Sequence, residues 1–209
     1  MEFEALRQAV IEGNAAAVES GVEAGLEAGV APETLLYDVL IPAMGEVGAL
    51  YEAGEFFVPE MLVAAHAMKA GLAILRPKLT GASAQTLGVV VLGTVQGDLH
   101  DIGKNLVGLM LEGAGFEVRD LGVDVAPERF VAAVKDNVQI IGLSALLTTT
   151  MPAMKASLEA LVEAGVRDRV KVMVGGAPVT QSYADEIGAD GYAPDAASAV
   201  RLAKSLLNM

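Results

Sequence analysis

Cysteine and tryptophan are absent from this 209-residue sequence, and histidine occurs only at His66 and His100. Without cysteine the chain can form no disulfide, no thiolate metal site and no cysteine nucleophile. Two histidines are too few for a metal site built from several imidazoles. The composition still allows a metal that takes one protein ligand, because an organic ring can supply the others.

Positive charge is also scarce. Lysine and arginine number 14 against 27 aspartates and glutamates, which gives a net charge of −13. This charge argues against nucleic-acid binding, which depends on cationic contacts to phosphate. No apolar run approaches the roughly 18 residues of a membrane helix, and the acidic N-terminus, Met1 to Glu4, lacks a signal-peptide pattern. We therefore expect a cytoplasmic protein without nucleic-acid or membrane partners.

The spacing of apolar residues divides the chain into two domains and a linker. Residues 1–78 predict a bundle of four helices, with Asn14 as an N-cap and a possible kink at Pro42. Residues 79–86 are small and polar, which is typical of a linker. Residues 87–209 alternate strands and helices and predict a Rossmann-like (flavodoxin-like) α/β domain, a five-stranded doubly wound parallel sheet of order 2-1-3-4-5. The predicted strands are 87–93, 116–120, 138–144, 170–175 and 191–193.

The loop after the first predicted strand, residues 94–105, carries glycines, acidic residues and one histidine. Parallel sheets bind ligands at such loops, outside the carboxyl ends of their strands. The glycines match neither the dinucleotide fingerprint nor the P-loop, so a phosphate clamp supported by Lys104 is the weaker interpretation. His100 is a candidate metal ligand, with Asp98 or Asp101 hydrogen-bonded to its other ring nitrogen. The alternative is a solvent-exposed loop histidine with acidic neighbours.

Two further loops should lie at the same edge of the predicted sheet. After the third strand come residues 144–150, which end in three threonines, and after the fourth come Gly175 and Gly176. One threonine could cap the helix that begins at Met151, while others bind a ligand. The glycine pair could form a tight turn or leave a channel for a flat ligand. His66 has no acidic neighbour at helical spacing, and we expect it to be structural or exposed.

These segments carry a resemblance to a known family. Residues 98–103 resemble the Asp-x-His-x-x-Gly signature of the cobalamin-binding domains of methyltransferases, and residues 45–61 resemble their helical cap segment. Residues 144–150 and 175–176 stand where the family holds the nucleotide tail of cobalamin. Over nearly its whole length the chain is similar to the corrinoid proteins of methylamine, methanol and O-demethylase methyltransferase systems. It is also similar to the cobalamin-binding region of cobalamin-dependent methionine synthase.

The resemblance implies a cobalamin or related corrinoid cofactor, with His100 as the lower axial ligand of cobalt and Asp98 and Thr150 as its relay. It implies a methyl-carrying corrinoid subunit that shuttles methyl on cobalt, as in methylcobalamin, rather than a complete enzyme. The implied partners are a donor-specific methyltransferase, an acceptor methyltransferase and a reductive activase. Methylamines, methanol, methoxyarenes and glycine betaine analogues are all donors for such carriers.

The resemblance also implies which residues bind the cofactor. Tyr51 and Val58 would cover its upper face, with Met61 nearby, and Tyr51 stands where methionine synthase has phenylalanine. Thr150 likewise replaces a serine and keeps the hydroxyl. The remaining implied residues lie in the loops of the second domain: Gly97, Asp98, Leu99, His100, Asp101, Ile102, Gly103, Ser144, Leu146, Thr148, Gly175, Gly176, Tyr192 and Ala196.

Three other functions are consistent with a bound cobalamin. A cobalamin-dependent regulator or sensor usually carries a DNA-binding helical domain, but this sequence has no basic helix. The cobalamin subunit of a carbon-skeleton mutase would share the histidine loop but not the cap segment. A cobalamin store would need neither a cap nor a partner. Methyl transfer by a companion methyltransferase would distinguish the carrier from all three.

Overall fold

The computed structural model describes residues 3–79, 86–135 and 137–209. The chain divides into two compact units, Met1–Thr86 with Glu112–Gly115 and Leu87–Leu111 with Phe116–Met209. Most of the predicted linker, residues 80–85, lies outside the described residues. The exact domain boundaries therefore stay a prediction.

The first unit is helical, as predicted. Helix α1 is Phe3–Ile11 and α2 is Ala15–Glu27. Helix α3 runs through Pro32–Thr34, a π-helical turn at Leu35–Leu40, and Ile41–Glu52; α4 is Val58–Leu75, followed by a 3₁₀ turn at Arg76–Lys78. Asn14 caps α2, because its side-chain oxygen accepts a hydrogen bond from the Ala17 amide at 3.1 Å. This cap confirms the predicted one.

The π-helical turn in α3 directly precedes Pro42. Proline has no N–H, and its ring collides with the carbonyl four residues earlier in a regular α-helix. Here the Ile41 amide donates to the carbonyl of Leu36, five residues back. The sequence predicted a possible kink at Pro42, and the structure has this wider π-helical turn just before it.

Helix α4 buries one stripe of small and apolar residues against α2. Gly71 allows a close approach, since a Cβ there would lie 2.9 Å from a methyl group of Val18. Val58–Lys78 is long and apolar enough to cross a membrane, but the buried core helices of soluble proteins can have the same length and composition. On the other side of α4, His66 is exposed.

The second unit contains five strands: β1 Val89–Thr94, β2 Glu117–Asp120, β3 Val138–Ser144, β4 Lys171–Gly175 and β5 Gly191–Ala193. All pair in parallel in the order β2-β1-β3-β4-β5, which confirms the predicted fold class and strand order. The helices around the sheet are α5 Ile102–Gly113, α6 Pro127–Ala133, α7 Met151–Glu163, α8 Gln181–Ile187 and α9 Ala196–Leu206. Strand β1 is buried on both faces, as expected for a central parallel strand.

The register of the sheet aligns the last residues of four strands. Thr94 pairs with Ser144, Ser144 with Gly175, and Gly175 with Ala193. All four side chains are small, so the carboxyl edge of the sheet carries a row without bulky groups. The topological switch point lies between β1 and β3, beside Thr94 and Ser144.

Candidate functional site

The centre of the site is the loop between β1 and α5. The Asp98 carboxylate accepts a hydrogen bond through Oδ1 from the His100 amide at 3.0 Å and lies 2.7 Å from His100 Nδ1. Asp101 instead accepts a hydrogen bond from the Asn105 side chain at 3.0 Å. Of the two acidic residues that the sequence offered as partners of the imidazole, Asp98 is therefore the one in contact.

The other carboxylate oxygen of Asp98 connects this loop to the one after β3. Oδ2 accepts hydrogen bonds from the Thr150 hydroxyl at 2.6 Å and from the amides of Leu146 and Leu147 at 2.8 and 3.3 Å. Thr150 occupies the N-cap position of α7, yet its side chain makes no cap hydrogen bond. Its hydroxyl is directed to the carboxylate, so Asp98, His100 and Thr150 form one chain of contacts.

Asp98 is completely buried. Burial alone would raise the pKa of this carboxyl group, because the charged form loses hydration. The hydrogen bonds from Thr150, from the His100 and Leu146 amides and from the His100 ring outweigh burial and hold the pKa well below its ordinary value. Asp98 is therefore ionised at neutral pH and can only accept hydrogen bonds.

The ionised carboxylate determines the tautomer of His100. Because Asp98 can only accept, the proton of a neutral imidazole lies on Nδ1, and Nε2 keeps its lone pair. The His100 side chain is 49% exposed. A neutral His100 thus presents the lone pair of Nε2, and the contact with Asp98 fixes the orientation of its ring. Among the described residues, no group of three or more histidines, aspartates and glutamates could hold a metal ion.

Lys104 does not take part in ligand binding in the manner of a phosphate clamp. Its residue is almost fully buried, and its ammonium group bonds to the side chains of Asp120 and Asn105. The positive charge of Lys104 is therefore neutralised within the domain by Asp120, the last residue of β2. This arrangement removes the main support for the phosphate interpretation.

Apolar side chains surround His100 at the surface. Leu99 and Ile102 are 70% and 84% exposed, and Leu146 and Leu147 of the neighbouring loop are also exposed. Large exposed aliphatic groups clustered at a loop edge commonly mark a binding surface. Three of them, Leu99, Ile102 and Leu146, are predicted cofactor-binding residues.

The predicted tail-binding residues lie along the carboxyl edge of the sheet. Ser144, Gly175 and Tyr192 are partly exposed, and Thr148 is exposed on the loop after β3. Gly176 has φ +127°, and a Cβ there would lie 1.8 Å from the carbonyl oxygen of Ala145. Close backbone packing therefore requires this glycine. Ala196 is buried at the start of α9, which Asp195 caps by accepting a hydrogen bond from the Ser198 amide at 2.7 Å.

The predicted cap residues belong to the helical unit. Tyr51 is partly exposed at the end of α3, and Val58 is exposed at the start of α4. Phe57, Leu62 and Val58 form a group of exposed apolar side chains there. Met61 points the other way and is completely buried, so it presents no surface to a ligand in this structure.

Comparison with known proteins gives a consistent result for both units. Residues 88–201 match one B12 binding domain family, and residues 2–76 match a second B12 binding domain family. The chain belongs to the B12-binding corrinoid proteins. It is 51% identical over 178 residues to the dimethylamine corrinoid protein of Methanosarcina barkeri, covering 84% of each chain.

Two solved structures resemble this corrinoid protein closely. A cobalamin-binding protein from Desulfitobacterium hafniense superposes with a TM-score of 0.83 at 33% identity, covering 99% of this chain and 98% of the other. A chain of the methanol:cobalamin methyltransferase complex from Methanosarcina barkeri gives a TM-score of 0.87 at 35% identity, covering 99% of this chain and 79% of the other. The cofactor of this family is cobalamin or a related corrinoid.

The residues of this corrinoid protein fit such a cofactor. A corrin ring supplies four nitrogens to cobalt, so the metal needs no cage of protein ligands, and none is present among the described residues. One outward Nε2 is the ligand type that cobalt accepts. The exposed aliphatic groups around His100 suit the apolar rim of a macrocycle, and the small residues at Thr94, Ser144 and Gly175 leave room for an elongated group.

Sequence reasoning missed two residues that organise this loop. Thr94 is fully buried, and its hydroxyl donates to the His100 carbonyl at 2.9 Å. Asp124, in the loop after β2, accepts a hydrogen bond from the Gly97 amide at 2.7 Å. Thr94 could have been noted as a polar residue that ends an otherwise apolar strand. For Asp124 the sequence alone offers no comparable signal, because its contact depends on the pairing of β1 with β2.

Proposed function

We propose that this corrinoid protein carries a methyl group between a donor-specific methyltransferase and an acceptor methyltransferase, with His100 Nε2 as the lower axial ligand of cobalt. When bound, the corrinoid supplies a metal centre that accepts and gives up methyl. The observation that carries the proposal is the 2.7 Å contact between His100 Nδ1 and the buried Asp98 carboxylate. This contact orients the ring and, in a neutral imidazole, leaves the lone pair on Nε2.

Asp98 and Thr150 would adjust the imidazole for this role. A carboxylate hydrogen-bonded to the distal ring nitrogen strengthens the ligating nitrogen as a donor. Whenever Nε2 is not bound to metal it can take a proton, and the positive charge of the ring would then lie beside the ionised Asp98. Thr150 would steady the carboxylate through its 2.6 Å hydrogen bond in both situations.

The other predicted site residues would contact the cofactor without ligating cobalt. The nucleotide tail of the cofactor would lie along Ser144, Leu146, Thr148 and the Gly175-Gly176 turn, where the side chains at the strand ends are small. Tyr51 and Val58 would shield the upper face of the cofactor from water. Transfer of methyl would then require this cover to move aside, which is a common role of lids.

The relatives support a methyltransferase partner. One similar protein is named a dimethylamine corrinoid protein, and one similar structure is a methanol:cobalamin methyltransferase complex. The identity of about half to the former favours a methylamine as the methyl source. We also propose that a reductive activase serves this protein and that it acts in the cytoplasm.

The axial ligand is tested by replacing His100 with alanine and recording the visible spectrum of the protein with bound methylcobinamide, a corrinoid that has no nucleotide base of its own to bind cobalt. We expect the spectrum to lose the signature of a protein nitrogen on cobalt, because no other described imidazole lies in this unit. The His66→Ala variant is the matched control, since His66 is exposed on α4, and its spectrum should equal that of the wild type. Identical spectra for His100→Ala and the wild type would contradict the proposal.

The carrier role is tested with purified methylamine methyltransferases and their donors. We expect the spectrum of the bound corrinoid to change to that of the methylated form when the matching methyltransferase and donor are both present. A sensor, a store or a mutase subunit would show no such change with any donor. Binding of cobalamin without transfer from a panel of methylamines, methanol and methoxyarenes would therefore exclude the carrier.

A further inference from the structure

The loop that follows β2 is attached to the histidine loop along its length. The Thr94 amide donates to the Gly122 carbonyl at 3.0 Å, and the Val125 amide donates to the Thr94 carbonyl at 2.9 Å. Val95 and Val125 form a parallel bridge beyond the ends of the regular strands. The conformation of the histidine loop therefore depends on a segment that contains none of the predicted ligand-binding residues.

Asp124 provides the last and most specific of these attachments. Its amide donates to the Asp98 carbonyl at 3.0 Å, and its carboxylate accepts from the Gly97 amide at 2.7 Å. Asp124 has φ +51°, in the left-handed region that non-glycine residues seldom adopt and that aspartate tolerates better than most. Asp124 thus forms hydrogen bonds with both the Gly97 amide and the Asp98 carbonyl.

Gly97 makes this attachment important. It has φ +83°, and glycine has no side chain to hold such a turn in place. A Cβ at Gly97 would have only one neighbour within 4 Å, a methyl of Thr150, so packing does not fix the turn either. The Asp98 amide closes the turn by donating to the Val95 carbonyl at 3.1 Å, and the hydrogen bond from the Gly97 amide to Asp124 further restricts the direction in which the chain enters Asp98.

From these contacts we propose that Asp124 is a positioning residue for the cobalt ligand, acting through Gly97 and Asp98 on the imidazole of His100. The inference rests on the proposed ligation of cobalt by His100. A ligand must be held within about 0.5 Å of its productive position. Losing the Asp124 carboxylate frees the turn at Gly97, so the Nε2 atom samples positions from which it does not reach the metal. Ligation by His100 becomes weaker, although the ring and its Asp98 partner are unchanged.

Three substitutions at Asp124 separate the carboxylate from the unusual backbone. Asp124→Asn keeps an acceptor oxygen and tolerates the left-handed conformation. Asp124→Gly removes the acceptor and relieves any backbone strain, whereas Asp124→Ala removes the acceptor and adds strain. Glu128→Ala is the control, because it removes another exposed carboxylate, four residues further along, in the first turn of α6.

The full-length protein is saturated with methylcobinamide, a corrinoid without a nucleotide base, so that a nitrogen on the lower face can come only from the protein. The visible spectrum gives the ratio of nitrogen-ligated to nitrogen-free cofactor, with His100→Ala as the zero reference. Since a typical hydrogen bond contributes about 1 kcal/mol net, we expect this ratio to fall roughly fivefold in Asp124→Gly and Asp124→Ala. Asp124→Asn and Glu128→Ala should retain the wild-type ratio.

Each other pattern overturns the inference. Wild-type ratios in all three Asp124 variants would show that the attachment does not position the ligand. A loss in Asp124→Ala alone would assign the effect to the backbone, and equal losses in all three would assign it to the negative charge of Asp124 rather than to the hydrogen bond with Gly97. Because the ratio is measured per bound corrinoid, a lower yield of folded protein does not change it. If His100→Ala itself matches the wild type, the proposed ligation has failed rather than the role of Asp124.

Discussion

Replacement of Thr150 with valine tests whether the buried Asp98 is held as the structure indicates. Valine has nearly the same shape as threonine, so the packing at the start of α7 should persist while the hydroxyl is lost. The substitution removes the 2.6 Å hydrogen bond to Asp98 Oδ2. The amides of Leu146 and Leu147 still reach the same oxygen, so the charge is not left without a partner.

Hydrogen bonds to charged groups contribute about 1.5–3 kcal/mol to stability. Because Asp98 is completely buried and keeps its other donors, we expect a loss of about 2 kcal/mol in the free energy of unfolding at pH 7. Urea denaturation of the cofactor-free protein, followed by circular dichroism, measures this difference. Thr149→Val is the matched control, because Thr149 is exposed on the same loop and should change stability by less than about 0.5 kcal/mol.

The pH dependence gives a second test. The pKa of Asp98 is held below its ordinary value, so the carboxylate contributes stability at neutral pH that is lost on acidification, when the unfolded state binds a proton and the folded state does not. Removing Thr150 weakens this lowering. Both proteins unfold to a state with the same aspartate pKa, so the gap in stability between wild type and Thr150→Val should stay constant while both folded proteins keep Asp98 ionised. It should narrow only at pH values below the ordinary pKa of aspartate, about 4, where the folded Thr150→Val variant begins to bind a proton. Equal stability of the Thr150 and Thr149 variants at pH 7 would refute the reasoning.

Two further predictions concern Gly176 and Lys104. Gly176→Ala should lower the free energy of unfolding by about 3 kcal/mol or more, because its Cβ would lie 1.8 Å from the Ala145 carbonyl oxygen. Gly188→Ala is the control, because Gly188 also has a positive φ but open space around it, and it should cost only about 1 kcal/mol in the same urea assay. Lys104→Met should lower stability by about 1–2 kcal/mol by removing the ion pair with Asp120, while the affinity for cobalamin changes less than about threefold. A large loss of affinity would return Lys104 to the ligand site.

The parts of the fold that the sequence predicts are those encoded locally. Strands β3 and β5 have their predicted limits, and the other strands begin and end within two residues of them. The caps at Asn14 and Asp195 depend on amides three residues away, so the pattern of residue types is enough to find them. The pairing of Asp98 with His100 is equally local, since only Leu99 lies between them in the chain.

The parts that the sequence did not predict arise where distant segments meet. Lys104 could not be assigned before the structure showed that β2 ends beside it, which directs its ammonium group to Asp120. Asp124 is one of many acidic residues on the surface, and only the parallel pairing of β1 with β2 brings it to Gly97. The burial of Met61 is different, because helical spacing already placed it on one apolar stripe with Met68 and Leu75, which are also buried. Only the resemblance set Met61 near the ligand.

The contacts of Asp98 also explain why the histidine motif is a weak signal alone and a strong one in context. An aspartate two residues before a histidine can contact the ring in many loops, but an exposed aspartate would exchange that contact with water. Here Oδ2 is occupied by groups from residues 146–150, about fifty positions away. Those groups reach it because β1 and β3 are neighbours at the switch point, although β2 lies between them in the chain. The orientation of the His100 ring is therefore a property of the strand order, and the motif specifies a ligand only in a chain that folds in this order.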